Sequence, residues 1–325
     1  MVRAVHIESV GDPSVLKYVD VDLPEPKAGE VRIRHTAIGL NFIDTYFRSG
    51  LYPAPGELPL TLGNEGAGYV VSIGEGVSNL AVGDRVAYAG PLGAYSEERN
   101  IPASVLVKIP EGVSDEQAAA LMLKGMTACY LLKKTYEVTA ETTLLYHAAA
   151  GGVGLIVGQW ASALGATVIG TVSSAEKARL ASAHGYDYVI NYKSEDWVER
   201  VRAITDGRGC DVVYDSVGKD TFPASLDCIR KRGLWCSFGQ SSGPLPEFNL
   251  ALLSQKGSLF ATRPSLFDYI SERWELEETA ADLFSVVADG TVDIQINQRY
   301  ALKDIAQAHR DLEGRKTTGA TVIIP

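Results

Sequence analysis

The residues best arranged for chemistry lie in LLYHAAAGGVGLIVGQWASALGA, Leu144 to Ala166, where an apolar run meets a glycine cluster and then a helical pattern. A phosphate needs backbone N–H groups brought close to it and a helix N-terminus facing it. Dinucleotide-binding turns therefore place glycine at three fixed positions after a strand. By that spacing Gly151 and Gly154 hold the second and third positions, and Ala149 stands in the first. Gly151 and Gly152 let a pyrophosphate approach, Gly154 lets the helix pack tightly, and Ala149 is acceptable provided its φ stays negative. A ligand-free βα connection could also read AAAGG, so the meaning of the turn depends on what surrounds it.

The choice of nucleotide falls to the end of the next strand, GTVSSAEK. A site for NAD carries Asp or Glu about 20 residues beyond the glycines, accepting hydrogen bonds from the ribose hydroxyls. Here Val172 occupies that position, followed by Ser173 and Ser174, with Lys177 one turn into the next helix. Two hydroxyls and an ammonium attract a 2′-phosphate that a carboxylate would repel, which favours NADP. The same residues also satisfy a helix start, with Ser173 and Glu176 at capping-box spacing. The two readings are compatible. His147 is conspicuous in the opening stretch, but it reads as a structural residue closing its strand. The five histidines show no metal-ligand spacing, and the four cysteines, without a CxxC pair, read as reduced, buried thiols.

Those residues need a scaffold, and the chain is long enough to supply two. Its 325 residues, 46% hydrophobic and 22% charged, suit a two-domain globular protein. A formal net charge of −10 argues against a dedicated nucleic-acid or anionic-membrane role. The N-terminal segment lacks a secretory pattern, and no run of about 18 apolar residues occurs; the expectation is a cytoplasmic chain without a membrane span. The first third is β-rich, with VRIRHTAIGL, GYVVSIGEGV, GDRVAYA and SVLVKIP as short strands, resembling a small irregular barrel. After Ser114 an acidic first turn opens a helix. Six strands follow, TLLYHAA, TVIGTV, YDYVINY, CDVVYDSVG, LWCSFG and SLFATRP. Separated by helices, they predict a parallel, doubly wound sheet with ligand at the carboxyl ends. SLFDYISERWELEETAADLFSVVADG reads as helical, and the terminal TGATVIIP as a strand returning to the first domain.

The motifs GNEGAGYVVSIGEGV, VGDRVAY, HAAAGGVG and YDSVG resemble the medium-chain dehydrogenase/reductase superfamily. AIGLNFIDTYFRSGLYP, LKGMTACYLL, SFGQSSG and TRPSL are similar to its zinc-free quinone oxidoreductase, or zeta-crystallin-like, branch. The resemblance spans essentially the whole chain. It implies an α/β chain with a doubly wound, six-stranded Rossmann domain at 125–265 binding NADP. A β-rich GroES-like catalytic domain would be built from 1–124 and 266–325. The superfamily's zinc enzymes carry a cysteine and a histidine where this chain has Asn41 and Asn64, and neutral amides are poor substitutes for a thiolate and an imidazole. No metal is expected.

Residue by residue, the resemblance places Asn41, Phe42, Ile43, Asp44 and Tyr46 beside the nicotinamide, and Tyr52 in the acceptor pocket. Tyr46 and Tyr52 read either as proton donors or as packing; with Asn41 they are the candidate catalytic residues. Lys124, Thr127 and Tyr130 are implied near ribose and phosphates, and Gly152 and Val153 at the pyrophosphate. Lys177, Tyr192 and Arg315 are implied at the 2′-phosphate. Ser216 and Val217, then Phe238, Gly239 and Ser241, then Arg263, Pro264 and Ser265 follow the last three strands of the sheet. The implied activity is reduction of a quinone by NADPH without a metal, since a quinone accepts hydride readily and positioning supplies most of the catalysis. Reduction of enals, enones or enoyl thioesters is the alternative within enzymology. A crystallin-like or RNA-binding role is the noncatalytic one. The resemblance further implies a homodimer joined through the edge strand SLFATRP.

Overall fold

In VRIRHTAIGL the residues alternate, and the resulting strand buries Val31, Ile33 and His35 on one face before its last four residues, from Ala37, become buried on both. The computed structural model describes residues 1–325. It forms two compact units, 1–126 with 272–288 and 294–325, and 127–271 with 289–293.

The first unit begins with β1 (Val2–Ile7), β2 (Lys17–Val21), β3 (Glu30–Leu40) and α1 (Phe42–Ser49), then β4 (Leu60–Thr61), β5 (Glu65–Ile73), β6 (Arg85–Ala89), β7 (Glu98–Pro102) and β8 (Val107–Lys108). SVLVKIP, expected as one strand, forms a 3-10 turn at Ala103–Val105 and only the two-residue β8. Pro102 and Pro110 bracket it, and proline cannot donate to a ladder. The helix expected after Ser114 is α2 (Asp115–Tyr130). Ser114 Oγ accepts from Gln117 N–H (3.2 Å), while Ser114 N–H donates to the Gln117 side chain (3.0 Å), a closed capping box.

The second unit holds β9 (Thr143–His147), α3 (Gly152–Ala163), β10 (Thr167–Val172), α4 (Ala175–Ser182), β11 (Tyr188–Asn191), α5 (Trp197–Ile204), β12 (Cys210–Asp215), β13 (Ile229–Ser237), α6 (Ala251–Gln255), β14 (Phe260–Thr262) and α7 (Leu266–Tyr269). All six expected strands form one parallel sheet in the order β11-β10-β9-β12-β13-β14. The order reverses between β9 and β12, which is where an open α/β sheet takes its ligand. Leu145, Ile169, Val213 and Trp235 join the apolar cluster beneath it.

The segment expected as one helix after Ser265 breaks. Glu272 N–H bonds to the Glu275 carboxylate (3.1 Å) and starts α8 (Arg273–Ala288) separately from α7. The chain then adds β15 (Ile296–Ala301), α9 (Ile305–Glu313) and β16 (Ala320–Ile324) to the first unit. β16 pairs antiparallel with β3, completing a sheet ordered β15-β16-β3-β5-β6-β8, with β7 also on β3. The terminal strand thus returns as expected. No helix is long and apolar enough to cross a membrane.

Candidate active site

At the end of β9 the chain turns through Ala148, whose φ is +64°. Ala149 is not among the positive-φ residues, so the methyl in the first glycine position is accommodated, and its N–H stays bonded to Thr171 O (3.1 Å). Helical bonding in α3 starts with Leu155 N–H to Gly151 O (2.9 Å). The N–H groups of Gly152, Val153 and Gly154 therefore lead the helix, and no side chain caps them. A Cβ on Gly154 would sit 2.6 Å from the carbonyl oxygens of both Ala148 and Ala149, so only glycine lets α3 press this closely on the turn. Gly151 is roomier, a Cβ meeting only Ala148 O at 3.2 Å. Three leading N–H groups on a half-buried glycine turn fit a pyrophosphate.

At the end of β10, Val172 is buried and its carbonyl accepts from Tyr192 N–H (3.1 Å), which brings the end of β11 alongside the end of β10, just before Ser173. The cap of α4 differs from the expected Ser173–Glu176 pair. Ser174 is the N-cap, its Oγ accepting from Lys177 N–H (3.2 Å). One hydroxyl is thus committed to the helix start, and Ser173 stands outside that cap.

The carboxyl ends of β12, β13 and β14 also converge. Asp215 Oδ1 accepts from the N–H groups of Val217 (2.9 Å) and Gly218 (3.1 Å), fixing the turn that carries Ser216 and Val217. Phe238 N–H donates to Asp215 O (2.9 Å) and Ser241 N–H to Ser216 O (3.2 Å). Gly239 lies against Ser216, where a Cβ would approach its carbonyl oxygen to 2.5 Å. Arg263 ties the ends of β13 and β14 by donating to Ser237 O (2.9 Å) and Gly239 O (2.8 Å). Pro264 and Ser265 follow β14, Ser265 preceding α7. Thr127 and Tyr130 are buried in the last turns of α2, where Tyr130 stacks on Tyr269 at 4.5 Å and burial pushes its phenol upward.

His147 supports the sheet. It is 1% exposed and lies between Thr171 Oγ1 (2.9 Å) and Ser225 Oγ (3.1 Å). Ser225 donates to Asp215 Oδ2 (2.9 Å) and so accepts from His147 Nε2–H. Burial lowers the imidazole's affinity for protons, with Asp215 partly opposing it.

The first unit gathers the other candidates around two buried carboxylates. Asn41 precedes α1, and its Nδ2 donates to Glu65 Oε2 (2.8 Å). The same oxygen accepts from Lys124 Nζ (2.9 Å), while Oε1 accepts from Leu123 N–H (2.7 Å). Asp44 accepts from Asn41 N–H (2.9 Å), Asn64 Nδ2 (2.8 Å) and the Tyr95 hydroxyl (2.8 Å). Burial raises the Asp44 carboxyl to about 6 against the pull of those hydrogen bonds and of Lys124. Tyr95 spends its proton on Asp44, so His309 Nε2–H donates to it (3.0 Å) and Nδ1 accepts from Arg48 (3.2 Å). Arg48 also makes a two-pronged bond to Glu313, 2.8 Å at each contact. Burial and the Arg48 charge hold His309 at about 3.

Tyr46 is buried and meets Tyr52 edge to face at 5.2 Å; Tyr52 also meets Phe47 at 5.7 Å. Phe42 and Ile43 are half-buried in the first turn of α1. Arg315 is exposed, with φ +57°, after α9. Sequence reasoning missed Glu65, Tyr95, Arg48 and His309. The motif GNEG displayed Glu65, but nothing in it announced donors from Asn41, just before α1, and from Leu123 and Lys124 in α2. Asn41 and Asn64 turn their amide nitrogens toward carboxylates, and no group of three or more His, Cys, Asp or Glu is placed to hold a metal ion.

Two family models match: "Zinc-binding dehydrogenase" over residues 152–284 and "Alcohol dehydrogenase GroES-like domain" over 27–111. The chain is 55% identical over 326 residues to a quinone oxidoreductase of Pseudomonas aeruginosa, with 100% of both chains covered. It is 46% identical over 332 residues to a 2-haloacrylate reductase of a Burkholderia species, covering 100% of this chain and 99% of the relative. Among solved structures, the Escherichia coli quinone oxidoreductase complexed with NADPH superposes with a TM-score of 0.97 at 51% identity, covering 99% of this chain and 100% of that one. The chain belongs to the medium-chain dehydrogenase/reductase superfamily, in its zinc-free quinone oxidoreductase branch. The expected fold class holds, a parallel six-stranded Rossmann sheet with a GroES-like domain.

Proposed function

We propose that the protein is an NADPH-dependent quinone oxidoreductase that works without a metal ion. The observation that carries this is the pairing of an uncapped glycine turn at β9 with a hydroxyl and lysine cluster, in place of an acid, at the end of β10. NADPH, when bound, supplies the hydride. Gly152, Val153 and Gly154 N–H groups hold its pyrophosphate, with Gly151 keeping the approach open. Ser173, Ser174, Lys177, Tyr192 and Arg315 hold the 2′-phosphate. Ser216, Val217, Phe238, Gly239, Ser241, Arg263, Pro264 and Ser265 form the shelf over which the cofactor passes, and Thr127 and Tyr130 flank the ribose and phosphates. Asn41, Phe42, Ile43, Asp44, Tyr46 and Lys124 frame the nicotinamide half.

Tyr46 and Tyr52 orient a planar acceptor by packing, and their mutual edge-to-face contact is a rigid aromatic corner suited to it. Catalysis then comes from alignment and exclusion of water rather than from a bound Lewis acid. On this reading Tyr46→Phe and Tyr52→Phe keep kcat within about threefold, since removing a true proton donor costs about a hundredfold or more. A hundredfold loss in either would make that tyrosine an acid.

A second reading, reduction of activated alkenes, is favoured by the likeness to the 2-haloacrylate reductase. A turnover screen of quinones against 2-haloacrylates and enones decides between them; equal or better turnover of the alkenes would displace the quinone assignment. The working form is proposed to be a cytoplasmic homodimer. The four cysteines are buried and outside any disulfide, as in a reducing compartment. β14 is a short edge strand with Phe260 63% exposed and Leu250 nearby in sequence 73% exposed, apolar surface that a second copy would cover.

A further inference from the structure

Glu65 is 0% exposed, and all of its polar contacts serve residues that the reading above gives to the cofactor or lie next to one. Oε1 takes Leu123 N–H, and Oε2 takes both Asn41 Nδ2 (2.8 Å) and Lys124 Nζ (2.9 Å). Gly39 makes room for this arrangement, because a Cβ there would collide with Glu65 Oε2 and with Ala119 O. The carboxylate, with Gly39 O (3.4 Å) also taking Asn41 Nδ2, fixes the polarity of Asn41 and the position of Lys124, whose ammonium can only donate. Asn41 has its amide nitrogen turned toward Glu65, so the group it has to offer a ligand is the carbonyl Oδ1, an acceptor with a lone pair beyond the one the α1 capping box turns toward Asp44 N–H. Lys124 gives Glu65 one ammonium N–H of three and keeps donors to offer. An acceptor and a donor anchored on one carboxylate oxygen complement a hydroxyl group, which both gives and takes a hydrogen bond.

We propose that Glu65 is a positioning residue that holds Asn41 in the polarity, and Lys124 in the position, needed to grip a ribose hydroxyl of the nicotinamide half of the cofactor. The proposal rests on the assignment of NADPH to this protein. Glu65 touches neither cofactor nor substrate and acts through its two partners. A glutamine in its place removes the charge that holds Lys124, leaves one carbonyl oxygen for three donors and turns an NH2 group toward at least one of them, so the hold on Asn41 and Lys124 loosens.

The test compares the full-length wild type with Glu65→Gln by titration with NADPH, NADH and adenosine 2′,5′-bisphosphate. Glu65→Gln should weaken NADPH and NADH alike by at least about tenfold, the scale of one charge-assisted hydrogen bond. Adenosine 2′,5′-bisphosphate, which lacks the nicotinamide ribose, should bind within about twofold of wild type, because none of the residues assigned to the 2′-phosphate is a hydrogen-bond partner of the Glu65 carboxylate. An equal loss for all three ligands would reduce Glu65 to a general structural role, and unchanged NADPH binding would also overturn the proposal. Glu65→Asp covers the case in which the glutamine variant does not fold. It keeps the charge for Lys124 but withdraws the oxygens, so it should show the same selective loss at smaller size, and an unselective loss or none would overturn the proposal. Failure of the wild type itself to bind NADPH would instead defeat the cofactor assignment, and this proposal with it.

Discussion

Asp44 is the residue where burial and hydrogen bonding oppose each other most directly. Burial lifts its carboxyl to about 6, above its unfolded value of about 3.9. A carboxyl raised on folding makes its full contribution to stability below the unfolded value and loses it as pH rises through about 6. Asp44→Asn removes this titration. The melting temperature of the wild type minus that of the variant should therefore grow as pH falls from about 7 to about 4; a difference that stays flat or shrinks would contradict the assignment. Lys177 carries a second forecast. Lys177→Ala should narrow the preference for NADPH over NADH by about 1–2 kcal/mol, as loss of one charged contact does, and an unchanged preference would remove Lys177 from the phosphate site. The place of Lys177, in the first turn of α4 after Val172, was legible from local spacing. The contacts of Glu65 were not, since its partners Asn41 and Lys124 lie 24 and 59 residues away. His309 meets Tyr95 across 214 positions, and no periodicity encodes such a meeting.

At the scale of elements, β9, its turn and α3 separate space for the ligand from space for the fold. Gly154→Ala pushes a methyl into two carbonyl oxygens at 2.6 Å, so it should cost about 1–3 kcal/mol of stability as an overpacked contact, along with NADPH affinity. Gly151→Ala meets one oxygen at 3.2 Å at a φ of −80°, so thermal stability should hold while NADPH affinity falls. Equal thermal losses in the two variants would contradict this division. The strands of the sheet were readable because each is a short apolar run between turns, and TVIGTV matches β10 residue for residue. The cap of α4 shifted by one residue because Ser173 and Ser174 are adjacent hydroxyls and only the geometry of the turn decides which one meets Lys177 N–H. The break before α8 is hidden in the sequence for a similar reason. SERWELEE remains a good helical pattern across it, and the restart depends on Glu275 reaching back to Glu272 N–H.

For the whole molecule, the net charge of −10 and the relation to quinone oxidoreductases over the full chain agree on a small-molecule enzyme. The replacement of a thiol and an imidazole by Asn41 and Asn64, both engaged with carboxylates, predicts no stoichiometric zinc in a metal analysis of the purified protein; one zinc per chain would contradict it. The reaction proposed for the whole molecule is metal-independent transfer of reducing equivalents from NADPH to a quinone. It is tested most directly by following NADPH oxidation by the chelator-treated protein with a simple benzoquinone as acceptor. Quinone-dependent oxidation that survives chelation and runs faster with NADPH than with NADH is the predicted result. Absence of quinone-dependent oxidation, or its abolition by chelation and recovery with zinc, would contradict the account.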